Sequence, residues 1–134
     1  MTMKKYLLDT NICIFYLKGK YELDKKIEKV GQKNCFISEI TVAELLYGAY
    51  HSKSQRHISE THQFIEEFAV IPFAGLADDF AKQKDMLTDK GQMIDDFDIM
   101  IGVSALKHGC IMVTENIKHF SRIDSLDIEN WINR

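Results

Sequence analysis

The stretch Lys5-Tyr6-Leu7-Leu8-Asp9-Thr10-Asn11-Ile12 passes from a short apolar run to an aspartate, and then to Ile12, Ile14, Phe15 and Leu17 at mixed helical spacing. It predicts a strand ending at Asp9 and a helix beginning within a residue or two. The same transition recurs downstream. Cys35-Phe36-Ile37 predicts a second strand that runs through Ser38 into a helix starting near Thr41, where Val42, Leu45, Leu46 and Ala49 recur at helical intervals. A polar helix from about Ser54 to Phe68 leads into Val70-Ile71-Pro72-Phe73, which Pro72 restricts to a sheet edge because proline has no N–H for a ladder. A further helix, about Leu76 to Lys90, ends at Gly91. Ile94-Asp95-Asp96-Phe97-Asp98 then opens a helix that runs to His108, stops at Gly109 and is followed by the strand Cys110-Ile111-Met112-Val113-Thr114. A short helix after Asn116 and a last strand, Leu126-Asp127-Ile128, close the pattern.

Strands alternating with helices require crossover connections, so the expected fold class is α/β: a mostly parallel central sheet flanked by helices on both faces. In such folds ligands sit beyond the carboxyl ends of the strands. Asp9 and Asn116 fall at predicted strand ends, and Glu44 and Asp98 fall in the first turns of predicted helices, so all four can face one crevice.

With 134 residues the chain fits a single domain, 1–134, burying about two thirds of the surface its unfolded form exposes. Its 46% hydrophobic content, one proline and lack of repeats or like-charge blocks suit an ordinary globular protein without linkers. Apolar runs are only a few residues long and MTMKKYLLDTN has no signal-peptide core, so a soluble cytoplasmic protein without a membrane partner is expected. Cys13, Cys35 and Cys110 are too few and too widely spaced for a disulfide framework or a zinc knuckle, and read as buried thiols. A net charge of -3 argues against a protein that holds nucleic acid on a broad basic face. Any such contact has to be local or assisted by a bound metal.

Each acid has a bland role beside its chemical one. Asp9 fits a helix cap, and Thr41-Val42-Ala43-Glu44 fits a capping box in which Glu44 reaches back to Thr41. Asp98 fits a first-turn aspartate favoured by the helix dipole, with Asp95 or Asp96 as cap. Yet Ile101, Gly102 and Ala105 follow Asp98 at three, four and seven positions, which puts its carboxylate on the apolar stripe. An unpaired charge there is costly. If the acids converge, two carboxylates about 5 Å apart at an effective dielectric near 20 repel by roughly 3 kcal/mol, and the cluster needs a cation. Carboxylate and amide oxygens, with no HxxxH or HExxH spacing among the five histidines, suit Mg²⁺ or Mn²⁺ better than zinc or copper.

LLDTNI around Asp9, TVAELLYGA around Glu44, FDIMIGVSAL around Asp98 and VTENIKHF around Asn116 resemble, in order and spacing, the four motifs of PIN-domain nucleases. More closely they are similar to the VapC-type toxins of bacterial toxin–antitoxin pairs, and the likeness runs nearly the whole chain, to Trp131. The resemblance implies a PIN-like three-layer fold and an endoribonuclease that uses a metal-activated water to leave a 3'-hydroxyl and a 5'-phosphate. It implies Asp9 and Asp98 as metal ligands, with Glu44 as third acid, acting directly or through water, and Asn116 as fourth catalytic position. Thr10, Asn11, Asp96, Thr114 and Glu115 are the expected supporting residues, and Mg²⁺, with Mn²⁺ as substitute, is the expected cofactor. RNA, a cognate antitoxin and a second copy in a homodimer are the implied partners. The wider family often has an aspartate where Asn116 stands, which argues against a second tightly held metal.

Lys118, Arg122 and Lys90 are candidate phosphate contacts, and His119 a candidate base-stacking group, though each also fits a solvated surface. Tyr47, Tyr50, Ile58, Phe64 and Phe68 read either as an antitoxin groove or, by their helical spacing, as core. A receiver domain would need a third-strand aspartate that the chain lacks, and a haloacid-dehalogenase-type phosphatase would need an aspartate where Asn11 stands. A catalytically inactive PIN-type RNA- or protein-binding module is the remaining alternative.

Overall fold

The computed structural model describes residues 3–134. Strand β1 (Lys5–Leu8) leads into α1 (Thr10–Leu17) and α2 (Leu23–Val30), and β2 (Cys35–Ser38) into α3 (Glu39–His51) and α4 (Gln55–Glu66). Then come β3 (Ala69–Ile71), α5 (Ala77–Asp89), α6 (Asp96–Lys107), β4 (Cys110–Val113), α7 (Ile117–Phe120) and β5 (Ile128–Glu129). All five strands are parallel, in the order β3-β2-β1-β4-β5.

Alternation along the strands divides the core in two. In β1, Tyr6 and Leu8 join Ile12, Leu23, Ile27, Leu45 and Phe64 on the face covered by α1 to α4. Leu7 faces the opposite way, towards Leu87, Ile99, Ile101, Met112 and Phe120 on α5, α6, β4 and α7. The result is the three-layer α/β arrangement expected from the alternating strands and helices. A sheet buried on both faces explains why Leu7 and Leu8, adjacent in sequence, are both fully buried.

One helix start differs from the sequence expectation, and one helix has none. Helix α3 begins at Glu39 because Ser38, at the end of β2, caps it by accepting from the Ile40 N–H at 3.0 Å. Thr41 is therefore buried inside the helix and Glu44 lies in its second turn, so no capping box joins them. Helix α2 carries no sequence expectation. Its buried stripe is only Leu23 and Ile27, and its entry residue Glu22 sits at φ 53° with no side-chain cap, so the usual start signal is missing. The last strand is Ile128–Glu129 rather than Leu126-Asp127-Ile128, and elsewhere the agreement is close. β3 is an edge strand stopping before Pro72, α5 ends just before Gly91 at φ +65°, and all three cysteines are buried and free.

Among the described residues, no helix is long and apolar enough to cross a membrane.

Candidate functional site

The chain moves outward from β1 through β2 to β3 on one side, and from β4 to β5 on the other. The strand order therefore switches direction between β1 and β4, where parallel sheets open a crevice at their carboxyl ends. Asp9 follows β1 and Thr114 follows β4, and the two meet across that gap: the Thr114 hydroxyl donates to Asp9 Oδ2 at 2.8 Å. Asp9 Oδ1 accepts the Thr10 N–H at 2.8 Å, so the aspartate does cap α1, and its own N–H donates to the Val113 carbonyl at 2.9 Å. Backbone and side chain together fix a buried carboxylate at the mouth of the sheet.

A crevice of about 500 Å³ opens here, and Asp9, Glu44, Asp98 and Asn116 all line it. Glu44 comes from α3 and is held by the Thr10 hydroxyl, which donates to Oε1 at 2.7 Å and lies 3.0 Å from the Thr41 hydroxyl. Asp98 comes from the first turn of α6, half-buried against the apolar stripe of Ile101, Gly102 and Ala105. The Asn116 amide nitrogen contacts His119 Nδ1 at 2.9 Å, and its backbone N–H donates to the Thr114 hydroxyl at 2.9 Å. That arrangement engages the amide nitrogen and leaves the carbonyl oxygen as the group Asn116 can offer the crevice.

Burial, followed by the charges of Asp9, Asp95 and Glu44, pushes the Asp98 carboxyl up to about 7. Burial also raises Asp9, against the hydrogen bonds from Thr114 and Thr10, and the Glu44 charge adds to the rise. The acids sense one another without a balancing cation, and no Lys, Arg or His lines the crevice among the described residues. They do not form a closed cage: among the described residues no three His, Cys, Asp or Glu side chains are grouped closely enough to hold a metal ion by themselves. Mg²⁺ does not demand a cage, since it keeps several waters and commonly takes one or two carboxylates. The donor set of Asp9 and Asp98, with Glu44 and Asn116 within the same crevice, suits such a hard ion in chemistry and in charge.

The other expected residues separate. Thr10 and Asn11 line the crevice, and Thr114 braces it from beneath. Asp96 instead pairs with Lys84 on the surface at 3.0 Å, and Glu115 accepts from Arg134 at 3.0 Å, and neither lines the crevice. Lys118 is exposed outside it, Arg122 donates to the Met93 carbonyl at 3.0 Å, and Lys90 pairs with Asp124 at 3.4 Å. Tyr47 and Tyr50 are exposed while Phe64 and Phe68 are buried, so the aromatic run is part surface and part core.

Ile14, Ala43, Tyr47 and Phe97 complete the lining and were not singled out as site residues from the sequence. A signal was present for two of them: Tyr47 is three positions after Glu44 on the same helix, and Ile14 four after Thr10.

The PIN domain family model matches residues 6–126. Among curated proteins, ribonuclease VapC2 of Haemophilus influenzae is 35% identical over 97% of this chain and 100% of its own length. The tRNA(fMet)-specific endonuclease VapC of Shigella flexneri is 34% identical over 96% of this chain and 99% of its own. The DNA-bound VapBC structure from Salmonella typhimurium superposes with a TM-score of 0.85 at 34% identity, covering 96% of this chain and 99% of that one. With its four motifs gathered at the switch point of a parallel sheet, the chain belongs to the PIN-domain family and is closely related there to the VapC-type toxins of type II toxin–antitoxin systems.

Proposed function

We propose that this protein is a metal-dependent endoribonuclease, the toxin of a toxin–antitoxin pair, and that it hydrolyses RNA phosphodiesters in the crevice between β1 and β4. The observation that carries the reading is the convergence of Asp9, Glu44 and Asp98 from three separate elements on one crevice, where their charges are uncompensated. Mg²⁺, or Mn²⁺ in its place, would when bound supply a water of lowered pKa and positive charge for the phosphate in the transition state.

Asp9 and Asp98 are the metal-binding carboxylates, the first held rigid by Thr114 and Thr10, the second presented by the first turn of α6. Asp98, raised to about 7, would have to be ionised to hold a cation, so metal binding would weaken as pH falls below about 7. Glu44, pinned by Thr10, is placed to accept a proton from the attacking water or to orient it. Asn116 is neutral and offers its carbonyl oxygen, so it positions water or substrate without adding a fourth negative charge.

A cognate antitoxin is the proposed regulatory partner, supported by the likeness to the VapBC structure from Salmonella typhimurium, and a second copy of the chain is the proposed assembly partner. The relatives from Shigella flexneri and Salmonella typhimurium are described as tRNA(fMet)-specific, which makes initiator tRNA the first substrate to try.

The test is incubation of antitoxin-free protein with initiator tRNA, bulk tRNA and ribosomal RNA, in Mg²⁺, Mn²⁺ or EDTA, with the product ends mapped. Metal-dependent cuts leaving 5'-phosphates and 3'-hydroxyls are expected. Metal binding with every RNA left intact would point to the inactive binding module instead.

A further inference from the structure

Two aromatic rings stand at the acidic crevice with their faces open. Tyr47, on α3, is 70% exposed and Phe97, beside Asp98, is 47% exposed. Both line the crevice, and they reach it from different helices. A large ring left in water gives up favourable burial, so side chains of this size facing a polar crevice point to something that covers them. Tyr47 is also held in place: His51, one turn further along α3, stacks on it with ring centres 5.6 Å apart and planes 14° from parallel. One face of the tyrosine is thus backed by an imidazole, which stiffens the ring.

What covers them follows from the charges. Proteins usually grip RNA through Lys and Arg on phosphates, yet this crevice has no cationic lining among the described residues: Lys90 and Arg122 are engaged with Asp124 and Met93, and Lys118 is exposed outside the crevice. A source of affinity that needs no positive side chain is stacking of bases on aromatic faces, which is indifferent to net charge and requires bases free of a helix. Tyr47 on α3 and Phe97 on α6 line the same crevice as Asp9 and Asp98.

We infer that Tyr47, backed by His51, and Phe97 are substrate-positioning residues that stack the unpaired bases on either side of the scissile phosphate. The inference rests on the ribonuclease reading and adds to it how an acidic crevice retains a polyanion.

The experiment uses wild-type protein with Tyr47→Leu, Tyr47→Trp and Phe97→Leu. All three changes are at exposed positions and leave the core intact. The substrates are a short RNA carrying the mapped cut and versions of it with an abasic nucleotide on each side in turn. Each leucine variant is expected to raise KM by about 5- to 150-fold, the span set by the usual worth of one stacked base, with kcat little changed. Tyr47→Trp should retain the wild-type KM. An abasic nucleotide should penalise the wild type by a similar factor and add nothing further to the variant that lost its ring on that side. Leucine variants that cut the intact RNA as the wild type does, or that suffer the full abasic penalty on both sides, would overturn the inference and leave the surface to a protein partner. A wild-type protein that cuts no RNA would overturn the ribonuclease reading as well, so the two failures are distinct.

Discussion

Replacing Asp98 by asparagine should make the protein more stable in EDTA at pH 8 while removing its response to Mg²⁺. Burial and three neighbouring acids raise the Asp98 carboxyl from 3.8 to about 7. A carboxyl whose folded-state pKa lies above its unfolded value contributes stability below about pH 4 and loses it as pH rises through 7. The shift is about three units, or about 4 kcal/mol at most. Because Asp98 is only partly buried, screening by solvent reduces this to roughly 2 kcal/mol. The aspartate also gains about 0.5 kcal/mol from the amino-terminal dipole of α6, which the amide forfeits. The net gain for Asp98→Asn is then about 1–2 kcal/mol above pH 7.5 and near zero at pH 4, equivalent to roughly 3–8 °C in Tm for a domain of this size. Urea denaturation of both proteins in EDTA from pH 4 to 8.5 measures it, and repeating the series in millimolar Mg²⁺ should stabilise the wild type alone. A variant no more stable than the wild type at pH 8, with parallel pH profiles, would refute the idea that unbalanced charge is stored in this crevice.

Further outcomes follow from single contacts. Thr10→Val removes the hydroxyl that holds Glu44 and meets Thr41, so RNA cleavage should fall about tenfold for a misplaced general base, with denaturation showing a loss of about 1–2 kcal/mol. Asp96→Asn breaks an exposed ion pair with Lys84, so cleavage should be unchanged and stability should move by about 0–1 kcal/mol, in contrast to Asp98→Asn two positions away. Gly102→Ala would bring a methyl to 2.4 Å from Ile123 Cδ1 in a closed core, and should cost about 1–3 kcal/mol. Adding Ile123→Val should recover part of that loss in the same melting assay.

The sheet and most helices were legible because apolar runs of three or four residues alternate with amphipathic stretches, and because Pro72 and Gly91 punctuate them. Helix α2 was not, since it opens on Glu22 in a left-handed conformation with no capping side chain. The bland reading of Glu44 was the one that failed: the capping-box pattern with Thr41 is present in the sequence, but Ser38 starts the helix earlier, and Glu44 turns to the crevice from the second turn. Asp9 and Asp98 could be chosen because a strand end and an apolar stripe are local properties. The bond from Thr114 to Asp9 spans 105 positions, and the diversion of Asp96 to Lys84 and of Glu115 to Arg134 depends on tertiary neighbours. No spacing rule reaches these.

The same contrast explains why the acids had to come from different elements. Asp95, Asp96 and Asp98 lie within four residues, yet only Asp98 lines the crevice, because the helical turn sends Asp96 towards α5 and leaves Asp95 exposed at the cap. A cation gripped by neighbouring residues of one turn would be held from one side only. Drawing Asp9 from a strand end and Asp98 from a helix start flanks the space between them and lets each scaffold be packed independently, Leu8 and Ile12 on one face of the sheet and Ile99 and Ile101 on the other. The charge repulsion this stores is borne by two cores on opposite sides of β1 and β4. For that reason Asp98 can be buried beside the other acids, and so raised to about 7, without the local structure giving way.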